Sequence, residues 1–520
     1  MRGNSHIAFY ITTPIYYVNA EPHLGHAYTT IVGDVIARFH RLSGYETFFL
    51  TGTDEHGNKV VEAAEGSGET VEAYVDRISR AFKETWPKLN ITNDYFIRTT
   101  DGNHKTTVRE ILSKVYEKGD IYFSDYEGKY CVGCERFYTD TELTQGRCPI
   151  HMNEPRIIKE ENYFFRMSKY QGWLIDYIDE HPGFIRPERY RNEVMAFLKE
   201  PLEDLCISRP KKRLSWGIPL PFNDDYVTYV WFDALINYIS ALGYPGGERF
   251  KKFWRVAQHI IAKDILKPHG IYWPCMLKAA GIEPYQHLNV HGYWNVNTGK
   301  MSKSLGNIVR PLDLADKYGL DAFRYFLLRE MVFGLDSDFS EESLVRRLNA
   351  DLANDFGNLV SRSMTMAVKY FEGLLPAPGK PEEADEDLRG AALKVIEEYK
   401  DMMKGFAFHK ALIGVWELIG KANKYIDTMK PWALAKSDRE RLGTVLTTLT
   451  EVIKTVSVLI WPFMPQTAEK IQHQLGLERV GSELPLETPG EWGRTKQVRA
   501  ISKAPPLFPR VKLEGEKARG

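Results

Sequence analysis

The chain has 520 residues, 43% of them hydrophobic and 26% charged, with a formal net charge of −1. That length exceeds one hydrophobic core and predicts two to four domains, while the mix of apolar and charged residues excludes a disordered or collagen-like chain. A near-neutral total also means that a nucleic-acid partner would have to meet a local patch, not a uniformly basic surface.

In chain order, IAFYITT (7–13) reads as a strand and PIYYVNAEPHLG (14–25) as a turn-rich loop. In HAYTTIVGDVIARFHRLSG (26–44), Ile31, Val35, Ile36 and Phe39 recur at the helical period and Gly44 is placed to stop the helix. YETFFLTGTDEHG (45–57) predicts a second strand running into a polar loop, the opening of a parallel α/β sheet. The stretch 120–224 has short strands, prolines and paired cysteines, and reads as an insertion splitting that sheet domain. RVAQHIIAKDILKPHGIYWPCMLKAAG (255–281) returns to a strand and a helix of the same sheet. From about Asp351, long amphipathic runs predict an antiparallel helical bundle, with PAPGKPEEADEDL (376–388) as a solvated connection and VKLEGEKARG (511–520) as a frayed tail. The expected class is α/β: a Rossmann-type parallel sheet in two halves (1–119 and 225–290), a connective insertion (120–224), a following region (291–350), a helical domain (351–505) and a tail (506–520). MRGNSHIAFY has no apolar signal region, and the apolar run VSVLIWPFM (456–464) is too short to span a bilayer, so no membrane is expected.

Three motifs carry chemistry. YCVGCERFYTDTELTQGRCPIH (130–151) holds Cys131, Cys134, Cys148 and His151 as Cys-x2-Cys, thirteen residues, Cys-x2-His. This fits one tetrahedral Zn²⁺ with a closed Cys₃His shell, hence a structural ion with no open position for substrate; a redox Cys-x-x-Cys is the alternative. Five cysteines in so long a chain argue against a disulfide scaffold and for a reducing cytoplasm, with Cys206 and Cys275 as structural thiols. HLGH, with His23, Gly25 and His26, sits where strand hands over to helix, where free N–H groups and the helix dipole favour phosphate. KMSKS, with Lys300, Ser302 and Lys303, follows the strand-like QHLNVHGYWNVN and could clamp a polyphosphate. Each of these two alone also reads as chance or as a solvated loop.

Read together, HLGH and KMSKSLGN resemble the signature pair of class I aminoacyl-tRNA synthetases. ITTPIYYVNAEPHLGHAYTT, TGTDEHG, YVWFDALINY, KDILKPHGIYWP and HGYWNVNTGKMSKSLGN extend the resemblance to the bacterial methionyl-tRNA synthetases, from about residue 8 to about 510. Such enzymes join methionine to ATP, release pyrophosphate and pass the aminoacyl group to the 3′ end of tRNA(Met). The resemblance implies that His23, Gly25, His26, Lys300, Ser302 and Lys303 bind ATP, that Lys303 grips the leaving pyrophosphate with Lys300 supporting the loop, and that Mg²⁺ accompanies ATP. It implies that Asp54 accepts from the methionine ammonium near Ile15, and that Tyr17, Trp231, Ala234, Tyr238, Ile265 and His269 surround the thioether. It implies anticodon reading by Asn358 and Arg362 of NLVSR and by Pro431 and Trp432 of KPW, with Trp432 stacking on a base. The chain departs from the family pattern at Ala262, where many relatives have glycine, at Leu235, where another branch has proline, and in a knuckle that is not four cysteines. Many bacterial members continue into a C-terminal dimerising domain; here the sequence stops near PPLFPRVKLEGEKARG, and a monomer is expected.

Rival readings make different demands. Leucine, isoleucine and valine enzymes carry a much larger editing insertion, and a cysteinyl enzyme draws its zinc ligands from distant parts of the catalytic domain. A pure RNA-binding module would have no need of HLGH, Asp54 and KMSKS together. A small-molecule nucleotidylyltransferase would not need the helical bundle.

Overall fold

The computed structural model describes residues 7–131, 136–138, 143–149, 152–229, 231–296, 299–300, 309–484, 486, 500–503 and 505–512. The chain forms two compact units: Ala8–Pro22 with Phe48–Val290, and Met1–Ile7 with His23–Thr47 and His291–Gly520.

The first unit is built on a six-stranded sheet. Its order is β3 (Tyr95–Arg98), β2 (Glu46–Asp54), β1 (Ala8–Tyr17), then Ala257–Ala262, His287–His291 and Ile185–Arg186. β1 pairs in parallel with 257–262, Tyr10 opposite Ala257, and β2 pairs in parallel with β3. Near-continuous apolar and β-branched runs, buried on both faces, are what a helix-covered parallel sheet requires. Tyr10, Leu50, Ile97, Ile261 and Leu288 lie in one core. At Gly52 a Cβ would meet the Ile97 carbonyl oxygen at 2.0 Å, so only glycine lets β2 and β3 approach there.

β1 runs on to Tyr17, so PIYY is strand and not the start of the loop. The ladder to 257–262 ends at Thr12–His259, and Pro14, lacking an N–H, interrupts none of its bonds. Within 120–224, the strands Ile121–Cys131 and Arg156–Phe165 form a long antiparallel hairpin, flanked by Arg136–Tyr138 and Leu205–Cys206. The same stretch also supplies Ile185–Arg186, which pairs in parallel with Leu288 and Asn289 at the edge of the main sheet. Its helices Gln171–Glu180 and Glu188–Phe197 bury Leu174, Ile178, Tyr190 and Val194 in the main core. After Ala257–Ala262 the expected single helix is instead a 3₁₀ turn (Lys263–Ile265), a π turn (Pro268–Tyr272) and a short helix (Trp273–Ala279). Pro268 and Pro274 withhold two N–H donors from that stretch, which breaks the regular helical ladder.

The second unit is mainly helical, with a three-stranded sheet. Its first helix, α1 (Leu24–Leu42), is buried along most of its length, including the charged Asp34 and Arg38. Helices resume at Pro311–Tyr318 and Leu320–Glu330, earlier than the amphipathic signal near Asp351, with Gly319 at a φ of 90° between them. The long helices Glu383–Lys404, Phe408–Met429 and Arg439–Ile460 follow. Part of the expected 376–388 connection is already helix: Glu382 and Asp385 form a capping box, and Arg441 donates to both Asp385 oxygens at 2.5 and 3.1 Å. Arg439–Ile460 is long and apolar enough to cross a membrane by length and composition, yet 89% of its apolar window is buried inside the protein as a core helix. The start of the tail is not frayed: Val511 is pinned through both backbone groups by Asn349.

Candidate active site

In the helical unit, His23 caps α1. The Gly25 N–H donates to His23 Nδ1 at 3.0 Å and the His23 N–H donates to His26 Nδ1 at 3.3 Å, a capping box made of two imidazoles. The rings stack with centroids 3.7 Å apart. Burial and the neighbouring His23 lower the His26 pKa well below the usual imidazole range. Because both Nδ1 atoms accept, the neutral rings carry their protons on Nε2, as donors at a helix N-terminus. Contacts from HLGH and the first turns of α1 join them to the chain on either side of KMSKS. The Leu24 N–H donates to the Val309 carbonyl at 3.0 Å. Thr29 Oγ1 lies 2.8 Å from His291 Nε2, and Tyr28 packs edge-on against His291. At Gly292 a Cβ would meet the Leu335 carbonyl oxygen at 2.3 Å, so the chain leaving His291 runs against 335–336. Trp294–Val296 then pairs in parallel with Ser337–Phe339 and antiparallel with Gly299–Lys300. Lys300 therefore ends a hairpin; Ser302 and Lys303 lie outside the described residues.

In the sheet unit, Asp54 ends β2 and is buried, its carbonyl accepting from the Val18 N–H at 3.1 Å. Ile15 and Tyr17 are half-buried on β1, with the Lys59 ammonium 5.7 Å from the Tyr17 ring. Trp231 and Ala234 bound one short helix, and the Asn237 side-chain amide donates to the Ala234 carbonyl at 2.7 Å. Tyr238 and His269 are buried and joined, Tyr238 Oη to His269 Nε2 at 2.8 Å. His269 Nδ1 lies 2.9 Å from the Ile265 carbonyl, so Nδ1 donates there and Nε2 accepts the Tyr238 proton. Burial outweighs that hydrogen bond and the nearby Asp264 charge, pushing the His269 pKa down to about 4. The ring is neutral at pH 7. Tyr238, Ile265 and His269 thus meet directly.

Sequence reasoning passed over the residues that hold this half together. Glu55, fully buried, takes Arg98 in a two-point contact at 2.7 and 3.0 Å, with Thr53 and Thr100 also donating to its carboxylate. Trp216 Nε1 donates to the Glu55 carbonyl at 2.7 Å. His56 reaches Asp233, which also meets His104. The available signal was a lone carboxylate inside the apolar run VWFDALI.

A profile described as tRNA synthetases class I (M) matches residues 9–155 and 140–364, and one described as the anticodon binding domain of methionyl tRNA ligase matches 375–516. The chain belongs to the methionyl-tRNA synthetase family of class I. It is 48% identical over 514 residues to a methionine–tRNA ligase of Caldanaerobacter subterraneus subsp. tengcongensis, covering 98% of this chain and 80% of that protein. A methionine–tRNA ligase of Thermotoga maritima is 45% identical over 97% of this chain and 80% of its own length. The fold matches a crystal structure of Mycobacterium tuberculosis methionyl-tRNA synthetase bound by methionyl-adenylate, with a TM-score of 0.92 and 41% identity over 96% of this chain and all of that one.

In this synthetase the helical region matched over 375–516 is the anticodon-binding domain. Asn358, exposed, and Arg362 lie on the helix Asn358–Phe371, and Arg362 is paired with Asp427 at 2.8 Å. That contact ties the helix to the end of Phe408–Met429, just before Lys430, whose φ of 46° turns the chain. Pro431 is buried at the start of the next helix, while Trp432 is 45% exposed.

Two of the four knuckle residues are described. Cys131 and Cys148 are buried and share one small cluster with Tyr138. The Asn153 carbonyl accepts from the Cys148 N–H, and its side-chain oxygen lies 3.3 Å from Cys131 Sγ. Cys134 and His151 lie outside the described residues; among the described residues, no group of three or more His, Cys, Asp or Glu side chains could hold a metal.

Proposed function

We propose that the protein is a methionine–tRNA ligase that forms methionyl-adenylate and pyrophosphate from methionine and ATP, then transfers methionine to the 3′ end of tRNA(Met). The observation that carries the reading is the Leu24–Val309 backbone hydrogen bond, which fastens the HLGH helix start to the residue directly after KMSKSLGNI. The methionine carboxylate attacks the α-phosphorus and pyrophosphate leaves, so no protein nucleophile is required; catalysis is positioning and charge stabilisation. His23 and His26 donate from Nε2 to ATP phosphates, with Gly25 leaving the backbone open beside them. Lys303 grips the departing pyrophosphate, Lys300 supports its loop, Ser302 binds ATP beside them, and Mg²⁺ accompanies ATP. Asp54 takes the methionine ammonium beside Ile15. Tyr17, Trp231, Ala234, Tyr238, Ile265 and His269 enclose the thioether, where each sulfur–aromatic contact contributes ~0.3–1.5 kcal/mol. Methionine-dependent exchange of pyrophosphate into ATP tests the reading.

Asn358 and Arg362 read anticodon base edges, and Trp432, set by the turn at Lys430 and Pro431, stacks on one base. Trp432→Ala is expected to weaken tRNA charging about tenfold or more, the loss of ~1–3 kcal/mol of stacking, while leaving pyrophosphate exchange unchanged. A matching fall in exchange would indicate a fold defect instead.

Cys131, Cys134, Cys148 and His151 hold one structural Zn²⁺. Support comes from the donor chemistry and from the two described thiols lying in one buried cluster on a hairpin with little core of its own. Purified, active protein is expected to carry one zinc per chain by metal analysis, and Cys148→Ala to carry none; active wild-type protein without zinc would refute the site. Paired cysteines that bind metal suit a reducing cytoplasm as the compartment.

A further inference from the structure

We infer that Asp233 is a positioning residue for methionine recognition, acting through His56 and His104; this rests on the ligase reading above. Asp233 is 1% exposed inside an apolar segment, and a carboxylate buried there must be fully hydrogen-bonded. Both oxygens are taken. His56 Nδ1 lies 2.6 Å from Oδ2, and His104 Nε2 lies 2.8 Å from Oδ1. Burial opposes the charge, but the two imidazoles hold the carboxyl down at about 2. His104 continues through Nδ1 to Ser240 Oγ at 2.9 Å, so it spans the segment from the helix Trp231–Ala234 to Ser240.

His56 stands two residues after Asp54, and the intervening Glu55 is clamped by Arg98, Thr53, Thr100 and Trp216. The chain around Asp54 is therefore held firmly, and the buried His56–Asp233 contact ties it to the segment that carries Trp231 and Ala234. Asp54 takes the ammonium end of the substrate; Trp231 and Ala234 wall its side chain. Their separation is a ruler for amino-acid length, and the Asp233 node fixes it without touching methionine. The other members of the node, His56, His104 and Ser240, are none of the residues proposed to hold ATP. A loosened ruler should therefore tell on methionine and not on ATP.

The test is pyrophosphate exchange on the full chain with methionine and ATP varied separately. Asp233→Ala is expected to raise the KM for methionine about tenfold to a hundredfold, the scale of losing hydrogen bonds to a charged group, with the KM for ATP changed less than about twofold. Asp233→Asn, which keeps an acceptor for one imidazole, is expected to recover part of that loss. If Asp233→Ala does not fold, His56→Gln and His104→Gln carry the same comparison, each with a smaller rise. Equal rises in both KM values, or no rise in either, with active wild-type protein would overturn the inference. Wild-type protein without methionine-dependent exchange would overturn the ligase reading and this inference with it.

Discussion

Asp34→Ala is expected to destabilise the protein by about 3–5 kcal/mol, the loss that follows when a buried ion pair is broken from one side. Asp34 and Arg324 are both fully buried, with Arg324 Nη2 2.6 Å from Asp34 Oδ2, and Arg38 Nε meets the same oxygen at 2.8 Å. One carboxylate on α1 thus answers two guanidinium groups. Arg324 also donates to the carbonyls of Phe463 and Pro462 at 2.9 and 3.1 Å, so it cannot swing out to water without opening the bundle. Removing Asp34 leaves both cations in a site that excludes solvent. Urea unfolding checks this. Asp34→Asn should lose less, since it keeps an oxygen acceptor, and the pair Asp34→Leu with Arg324→Met should recover part of the loss, because two of the three buried charges go together while Arg38 stays. A single Asp34→Ala change below ~1 kcal/mol would mean that the site is wetter than its burial indicates.

Lys303→Ala is expected to slow adenylate formation about a hundredfold to a thousandfold, the usual scale for removing one preorganised charge partner of a transition state, while methionine affinity changes less than about threefold. The reason lies in timing. The β- and γ-phosphates of ATP are charged from the start, but further negative charge develops on the leaving oxygen as its bond to the α-phosphorus breaks, so in the proposed role Lys303 acts more on that step than on methionine binding. Rapid-mixing measurement of adenylate formation, alongside equilibrium binding of methionine, separates the two. Equal losses in both would contradict a transition-state role.

What the sequence made legible follows from the range of the interactions. HLGH and KMSKS are short strings whose chemistry is local, and they were readable once paired. The structure adds a tie between the chain around them, through Leu24 to Val309 and Thr29 to His291, that no string contains. The parallel sheet was legible in the doubly buried runs of β1 and β2. The two-residue strand Ile185–Arg186 was not, because nothing but its partners Leu288 and Asn289 makes it a strand. Asp233 was quoted inside WFDALINY without a role, since its partners His56 and His104 are 177 and 129 residues away. Local pattern likewise overextended the helix after Ala262, where prolines divide it, and undercounted the helices from Pro311, which are short and separated by Gly319.

The measurement that bears most directly on the account is ATP–pyrophosphate exchange with each of the twenty amino acids supplied in turn. The account predicts exchange that depends on methionine, exceeding that with leucine or isoleucine by at least about a hundredfold, since a shaped pocket gains ~1–3 kcal/mol per misfitted group. Exchange driven by another amino acid and not by methionine would contradict it.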